Sequence, residues 1–142
     1  MNLVVPQVGA LALLEELIAA MYTGAGVVTV HLYQNNVIPG PGDTLATYTE
    51  ATFDGYAAVN VTTLGLPFTN VNGQAEQDWN GSNFAMTGST TPNTIYGYYV
   101  TLTPGGGSPA LLWAERFSAP ISMSGPTNTI NVYPQLTAIS EF

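Results

Sequence analysis

Val27-Val28-Thr29-Val30-His31-Leu32-Tyr33 is the stretch on which the fold turns. Val28, Val30 and Leu32 fall on one face, and Thr29, His31 and Tyr33 on the other. A period of two belongs to an extended strand with one side on a core. No helical spacing appears after Gly26. Residues 35–43 contain Pro39-Gly40-Pro41-Gly42 and form a loop. Residues 53–63 read as a second strand, with Phe53, Ala57, Val59 and Val61 inward and Asp54, Tyr56, Asn60 and Thr62 outward. Asn72-Gly73 is a hairpin-turn signal.

Farther along, Trp79, Phe84 and Met86 are the anchors of one or two short strands in an otherwise polar stretch. Residues 94–103 alternate, with Tyr96, Tyr98, Val100 and Leu102 on one side. Residues 104–109 hold three consecutive glycines and form a hairpin tip. Residues 110–118 and 128–139 supply two more strands, the latter with Ile130, Val132, Leu136 and Ala138 in phase. Pro134 has no amide hydrogen to give a ladder, so it marks an edge or a bulge.

Toward the N-terminus the period changes. Residues 1–6 are apolar, contain Pro6 and read as an extended arm. From Gly9 to Tyr22 the residues Leu11, Leu14, Ile18 and Met21 share one stripe, widened by Leu13 and Leu17, which predicts an amphipathic helix ended by Gly24 and Gly26. The expected architecture is therefore mainly β: a β-sandwich or jelly-roll-like domain with one N-terminal α-helix. Residues 1–26 make the arm and helix and 27–142 the sandwich, within a single domain.

Composition narrows the function. Of 142 residues 46% are hydrophobic and only 7% charged, so a core is affordable while the surface is poor in charge and suited to a partner. The net charge is -8, with Arg116 the only residue of the Lys and Arg type. That opposes binding to a phosphate backbone or an anionic membrane. There is no Cys, hence no disulfide or thiolate site. Glu15 and Glu16 interrupt the apolar stretch that a signal peptide needs, and residues 10–22 are too few to cross a bilayer.

Catalytic patterns are scarce. His31 is the only imidazole, and a triad would need a nucleophile on a strained turn and an orienting carboxylate. Without Lys there is no Walker A motif. Glu50, Asp54, Glu76, Asp78 and Glu115 are the candidates for a carboxylate pair, but carboxylates scattered over turns are ordinary solubilising residues. The segment from Asp78 to Asn83 has a vague likeness to a calcium loop but lacks the closing Glu, so a polar turn explains it better. The reading is of a protein that is not an enzyme, with no cofactor and no metal. The eight tyrosines are the excess. Tyr96, Tyr98, Tyr99 and Trp79 are candidates for a sugar-stacking platform, though packing and interface roles suit them better.

Three stretches carry a resemblance. His31-Leu32-Tyr33-Gln34-Asn35-Asn36 leads through the Pro/Gly loop to the run from Tyr48 to Tyr56; Tyr96-Gly97-Tyr98-Tyr99-Val100-Thr101 follows, and then the run from Leu111 to Phe117. In this order they resemble small structural proteins of tailed-bacteriophage virions, over about residues 27–140. The resemblance implies a capsid decoration, or cement, protein: a homo-oligomer, with a trimer favoured, that clamps the major capsid protein on the virion after synthesis in the host cytoplasm. Leu3, Val4 and Val5 of the arm, Leu11, Leu14 and Ile18 of the helix, and Arg116 are the candidate interface residues. The alternative is a tail or fibre module binding host glycan through surface Tyr and Trp.

Overall fold

Strand β1 (Val27–Tyr33) carries the alternation into the structure: Val28, Val30 and Leu32 are almost wholly buried. The structure, a computed structural model, describes Ala12 and residues 26–61, 68–69 and 75–138. After β1 come a 3-10 turn (Leu45–Thr47), β2 (Val59–Val61), β3 (Phe68–Thr69), β4 (Ala75–Asp78), β5 (Ser82–Ala85), β6 (Asn93–Thr103), β7 (Ala110–Met123), β8 (Thr129–Val132) and β9 (Gln135–Ala138). Every pairing is antiparallel. The protein is mainly β.

One sheet has the order β2-β1-β6-β7. The other is built from β3-β4-β9 and β5-β8. The β4–β9 ladder ends at Asp78 and Gln135, and the β5–β8 ladder resumes at Ser82 and Val132. Between them Trp79, Asn80 and Gly81 face only Tyr133 and Pro134, and the Trp79 amide donates to the Pro134 carbonyl at 3.1 Å. The two ladders thus form one ribbon with a bulge, and Pro134 sits where a ladder amide is not needed.

The two sheets share one core. Val28, Val30, Leu32, Val61, Ile95, Tyr98, Val100 and Met123 come from the first, and Trp79, Phe84, Ile130 and Val132 from the second, with Ala51, Phe53 and Met86 added by connecting segments. Burial of each large apolar side chain contributes about 1.5–3 kcal/mol. The other face of the four-stranded sheet is covered too. There Tyr33, Tyr48 and Tyr99 pack together beneath the segment that follows β1. Tyr33 therefore lies on the outward face, as its position in the alternation requires, yet is fully buried.

Three expectations are corrected. Residues 53–63 are not one strand, because Asp54-Gly55 makes a turn: Gly55 has φ +84° and the Tyr56 amide donates to the Phe53 carbonyl at 2.9 Å. Tyr56 then points inward, edge-on to Phe53 and stacked on Phe84, while Ala57 is exposed. The phase of β6 slips as well. Ile95 pairs with Ile121 but Gly97 with Arg116, so residues 117–120 bow out opposite Tyr96. Ile95, Tyr98, Val100 and Leu102 face the core, and Tyr96 joins Tyr99 on the other side. Strand β7 runs on past Ser118 to Met123, with Pro120 accommodated in the bulged stretch.

Gly97 marks the slip for a steric reason. A Cβ there would run into the Glu115 carbonyl and fall 2.6 Å from the Tyr33 hydroxyl. Apart from Ala12, the expected arm and helix, and with them Leu3, Val4, Val5, Leu11, Leu14 and Ile18, lie outside the described residues, as does Asn72-Gly73. Phe68 and Thr69 nonetheless pair with Glu76 and Ala75 on either side of that turn signal.

Candidate functional site

His31 projects from β1 on the face away from the core, stacked on Tyr99 of β6 with ring centroids 4.6 Å apart and planes 5° from parallel. Its Nδ1 lies 2.8 Å from Glu50 Oε1 and its Nε2 3.0 Å from Thr101 Oγ1. An ionised carboxylate only accepts, so Nδ1–H is the donor to Glu50, and in the neutral ring Nε2 accepts from the Thr101 hydroxyl. The Tyr56 hydroxyl donates to the same Glu50 oxygen at 2.9 Å and accepts from the Leu32 amide at 3.0 Å. Burial raises the Tyr56 phenol, and the Glu50 carboxylate adds to the effect. Tyr99 is pushed up to about 12 by burial, with Glu50 contributing.

Hydroxyl, imidazole and carboxylate stand here in the order of a hydrolase triad. An open groove of about 280 Å³ runs beside them, between His31, Glu50, Thr101 and Pro109. The surroundings do not complete such a site. Thr101 is 3% exposed and pairs with Thr29 on one side and Leu111 on the other, two residues from the end of a central strand. The arrangement joins β1, β6 and the Glu50 segment as a polar clamp. Composition left His31 without a carboxylate; the partner, Glu50, is reached because the segment after the Pro/Gly loop returns to bridge Tyr33.

Arg116 works within its own chain. Its guanidinium donates to the Val37 carbonyl and to Asn36 Oδ1, both at 2.6 Å, and lies over the Tyr96 ring at 5.2 Å. The loop it holds is also tied by Asp43, whose carboxylate accepts from the Tyr48 hydroxyl at 2.5 Å and the Gly40 amide at 2.8 Å. Those two bonds, that of Tyr48 first, hold the Asp43 carboxyl below the usual carboxylate range. The adjacent Glu115 serves the opposite face of β7 by accepting from the Tyr98 hydroxyl at 2.6 Å.

The other candidates are placed as follows. Trp79, Tyr98 and Tyr99 are at most 5% exposed, and Tyr96 is half-buried beneath Arg116. These four rings do not form a surface platform. Asp54 accepts from Thr90 and Thr91, and these bonds, those of Thr90 foremost, lower its carboxyl. Glu76 and Asp78 both accept from the Gln135 amide, at 2.7 and 2.8 Å. The segment from Asp78 to Asn83 is the end of β4, the bulge and the start of β5. Among the described residues, no group of three His, Asp or Glu side chains gathers to hold a metal, and no helix is long and apolar enough to cross a membrane.

Among the described residues the exposed large apolar side chains lie elsewhere: Val27 at the start of β1, Ile38 (81%) on the Pro/Gly loop, Tyr133 (71%) at the bulge, and Leu112 and Ile121 on β7. Leu112 is the extra residue of a second slip, between the Val100–Trp113 and Thr101–Leu111 pairs. Sequence alternation gave no sign of Leu112 and Tyr133, since bulges set those two positions. In comparisons with protein-family models, curated proteins and solved structures, the chain matches none.

Proposed function

We propose that this chain is a structural virion protein of a tailed phage, a capsid decoration or cement protein that binds the outside of the head without turnover. The observation that carries the reading is β7. It is fourteen residues long, pairs only with β6 among the described residues, and bears exposed Leu112 and Ile121. Soluble proteins commonly guard such an edge with charge. Here the two charged residues of the strand, Glu115 and Arg116, are engaged by Tyr98 and by the loop at Asn36 and Val37. A strand edge of this kind suits a chain added from a neighbouring subunit. The low share of charged residues, 7% of the chain, supports the same reading.

The reading includes a homo-oligomer, with a trimer favoured, contacting the major capsid protein. It also takes the two sheets as a β-sandwich of jelly-roll-like connectivity. Weak contacts are sufficient on a shell, because many bound copies together bias the assembled state. The test is thermal. Particles lacking the protein are expected to burst at lower temperature than complete ones, and purified protein added back restores their tolerance. Depleted particles that keep full thermal tolerance but fail to attach to host cells would refute it.

A further inference from the structure

The bulge that joins the two ladders of the second sheet holds Asn80-Gly81 outside both of them. We propose that Asn80 is a modification site, at which the chain converts its own side-chain amide into an aspartyl or isoaspartyl linkage without an enzyme. Asn80 and Gly81 are both exposed, and neither makes a hydrogen bond among the described residues. Glycine is required at 81 because a Cβ there would run into the Tyr133 ring. The same lack of a side chain leaves the Gly81 amide nitrogen unshielded toward the Asn80 carboxamide. Residues in a bulge lack ladder partners, so the Asn80–Gly81 peptide can turn without breaking a backbone pair.

The reaction needs only hydroxide and water. The Gly81 amide nitrogen gives its proton to hydroxide and bonds to Asn80 Cγ. The Cγ–Nδ2 bond breaks, Nδ2 leaves as ammonia, and a succinimide ring closes. Water then opens the ring at either carbonyl, to an aspartyl or an isoaspartyl peptide. Asp54-Gly55 has the same spacing without the same freedom. The Asp54 carboxylate accepts from Thr90 and Thr91, and its main-chain carbonyl accepts from the Thr87 amide. An ionised carboxylate is also a poor acyl donor. Asn35, Asn93 and Asn128 each accept a backbone amide through Oδ1, and the residue after each carries a side chain. Conversion at Asn80 adds a carboxylate to a chain whose net charge is already -8. The isoaspartyl product also adds a methylene to the backbone against which the exposed Tyr133 ring packs. This face therefore changes with the age of the molecule. The inference stands independently of the cement reading.

The experiment ages the full chain at mildly alkaline pH, once folded and once in urea, and follows each asparagine by mass spectrometry. Proteolysis after Glu76 puts Asn72 and Asn80 in different peptides, and fragmentation separates Asn80 from Asn83 and Asn93. In the folded chain Asn80 is expected to convert within about threefold of its rate in urea, because no local structure must open first. It should outpace Asn35, Asn93 and Asn128 by about tenfold or more. Isoaspartate, detected with an isoaspartyl-specific methyltransferase, is expected among the products. Gly81→Ala should slow the conversion about tenfold or more by shielding the amide nitrogen. Asn80→Gln, whose longer side chain misplaces the carbonyl, should abolish it with the circular dichroism unchanged. Conversion of Asn80 more than about tenfold slower folded than in urea overturns the proposal, since the bulge then protects the site. So does aspartate as the sole product, which is direct hydrolysis by water. Conversion at full rate in a folded Gly81→Ala protein also overturns it, by removing the glycine amide from the reaction. If Gly81→Ala does not fold, the product ratio in the unaltered chain decides.

Discussion

Glu50 shows how much one carboxylate oxygen can organise. Oε1 takes the His31 Nδ1–H and the Tyr56 hydroxyl, and that hydroxyl in turn receives the Leu32 amide of the central strand. Replacing Glu50 by Ala leaves two donors without an acceptor. A buried group so orphaned costs about 1–3 kcal/mol. The Glu50 side chain is 43% exposed, however, so water reaches part of the vacated space. The expected loss in urea unfolding is therefore about 1 kcal/mol for Glu50→Ala, and less for Glu50→Gln, which keeps an acceptor. Nitrogen NMR of His31 should show a weakened preference for the Nδ1–H tautomer in Glu50→Ala. An unchanged tautomer and unchanged unfolding midpoint would remove the clamp from the account of stability.

At the scale of elements, the Pro/Gly loop depends on Arg116. The planar fork reaches the Val37 carbonyl and Asn36 Oδ1 together while its face covers Tyr96. Lys keeps the charge but offers neither the fork nor the stacking face. Arg116→Lys is expected to cost about 1–2 kcal/mol of stability and to speed proteolysis within residues 36–43. Cleavage there at the unaltered rate would show that the Asp43 and Tyr48 ties hold the loop alone. How far such elements were legible in the sequence follows from the range of the forces involved. The alternation of β1, the anchors Trp79, Phe84 and Met86, and the glycine tip after β6 are local patterns, and all three appear in the structure. The phase slips at Gly55 and Gly97 were missed, because a single glycine reverses which face a tyrosine occupies without altering the composition of the stretch. Arg116 and Val37 are 79 positions apart, and His31 and Thr101 are 70 apart. Such contacts depend on strand order, which periodicity does not encode. Tyr133 escaped notice for the same reason: its exposure is created by a slip between two strands.

For the whole molecule the buried phenols set the alkaline limit. Tyr33, Tyr48, Tyr56, Tyr98 and Tyr99 are all held above the ordinary value of 10.0, and burial is the largest cause for each. In the unfolded chain these groups lose their protons near that ordinary value, so above it the unfolded state binds fewer protons than the folded one. Stability from this source is therefore complete below pH 10 and falls as pH rises toward the folded values, of which that of Tyr99 is about 12. Each group contributes a slope of at most about 1.4 kcal/mol per pH unit, so five acting together rival the roughly 5–15 kcal/mol stability of a small domain. The chain already carries a net charge of -8, and every phenolate formed adds to its self-repulsion. Above pH 10 the protein is expected to unfold in one steep transition, with tyrosinate absorbance and the loss of β-sheet circular dichroism rising together. Gradual ionisation of these five tyrosines while the circular dichroism stays native would contradict the burial on which the fold depends.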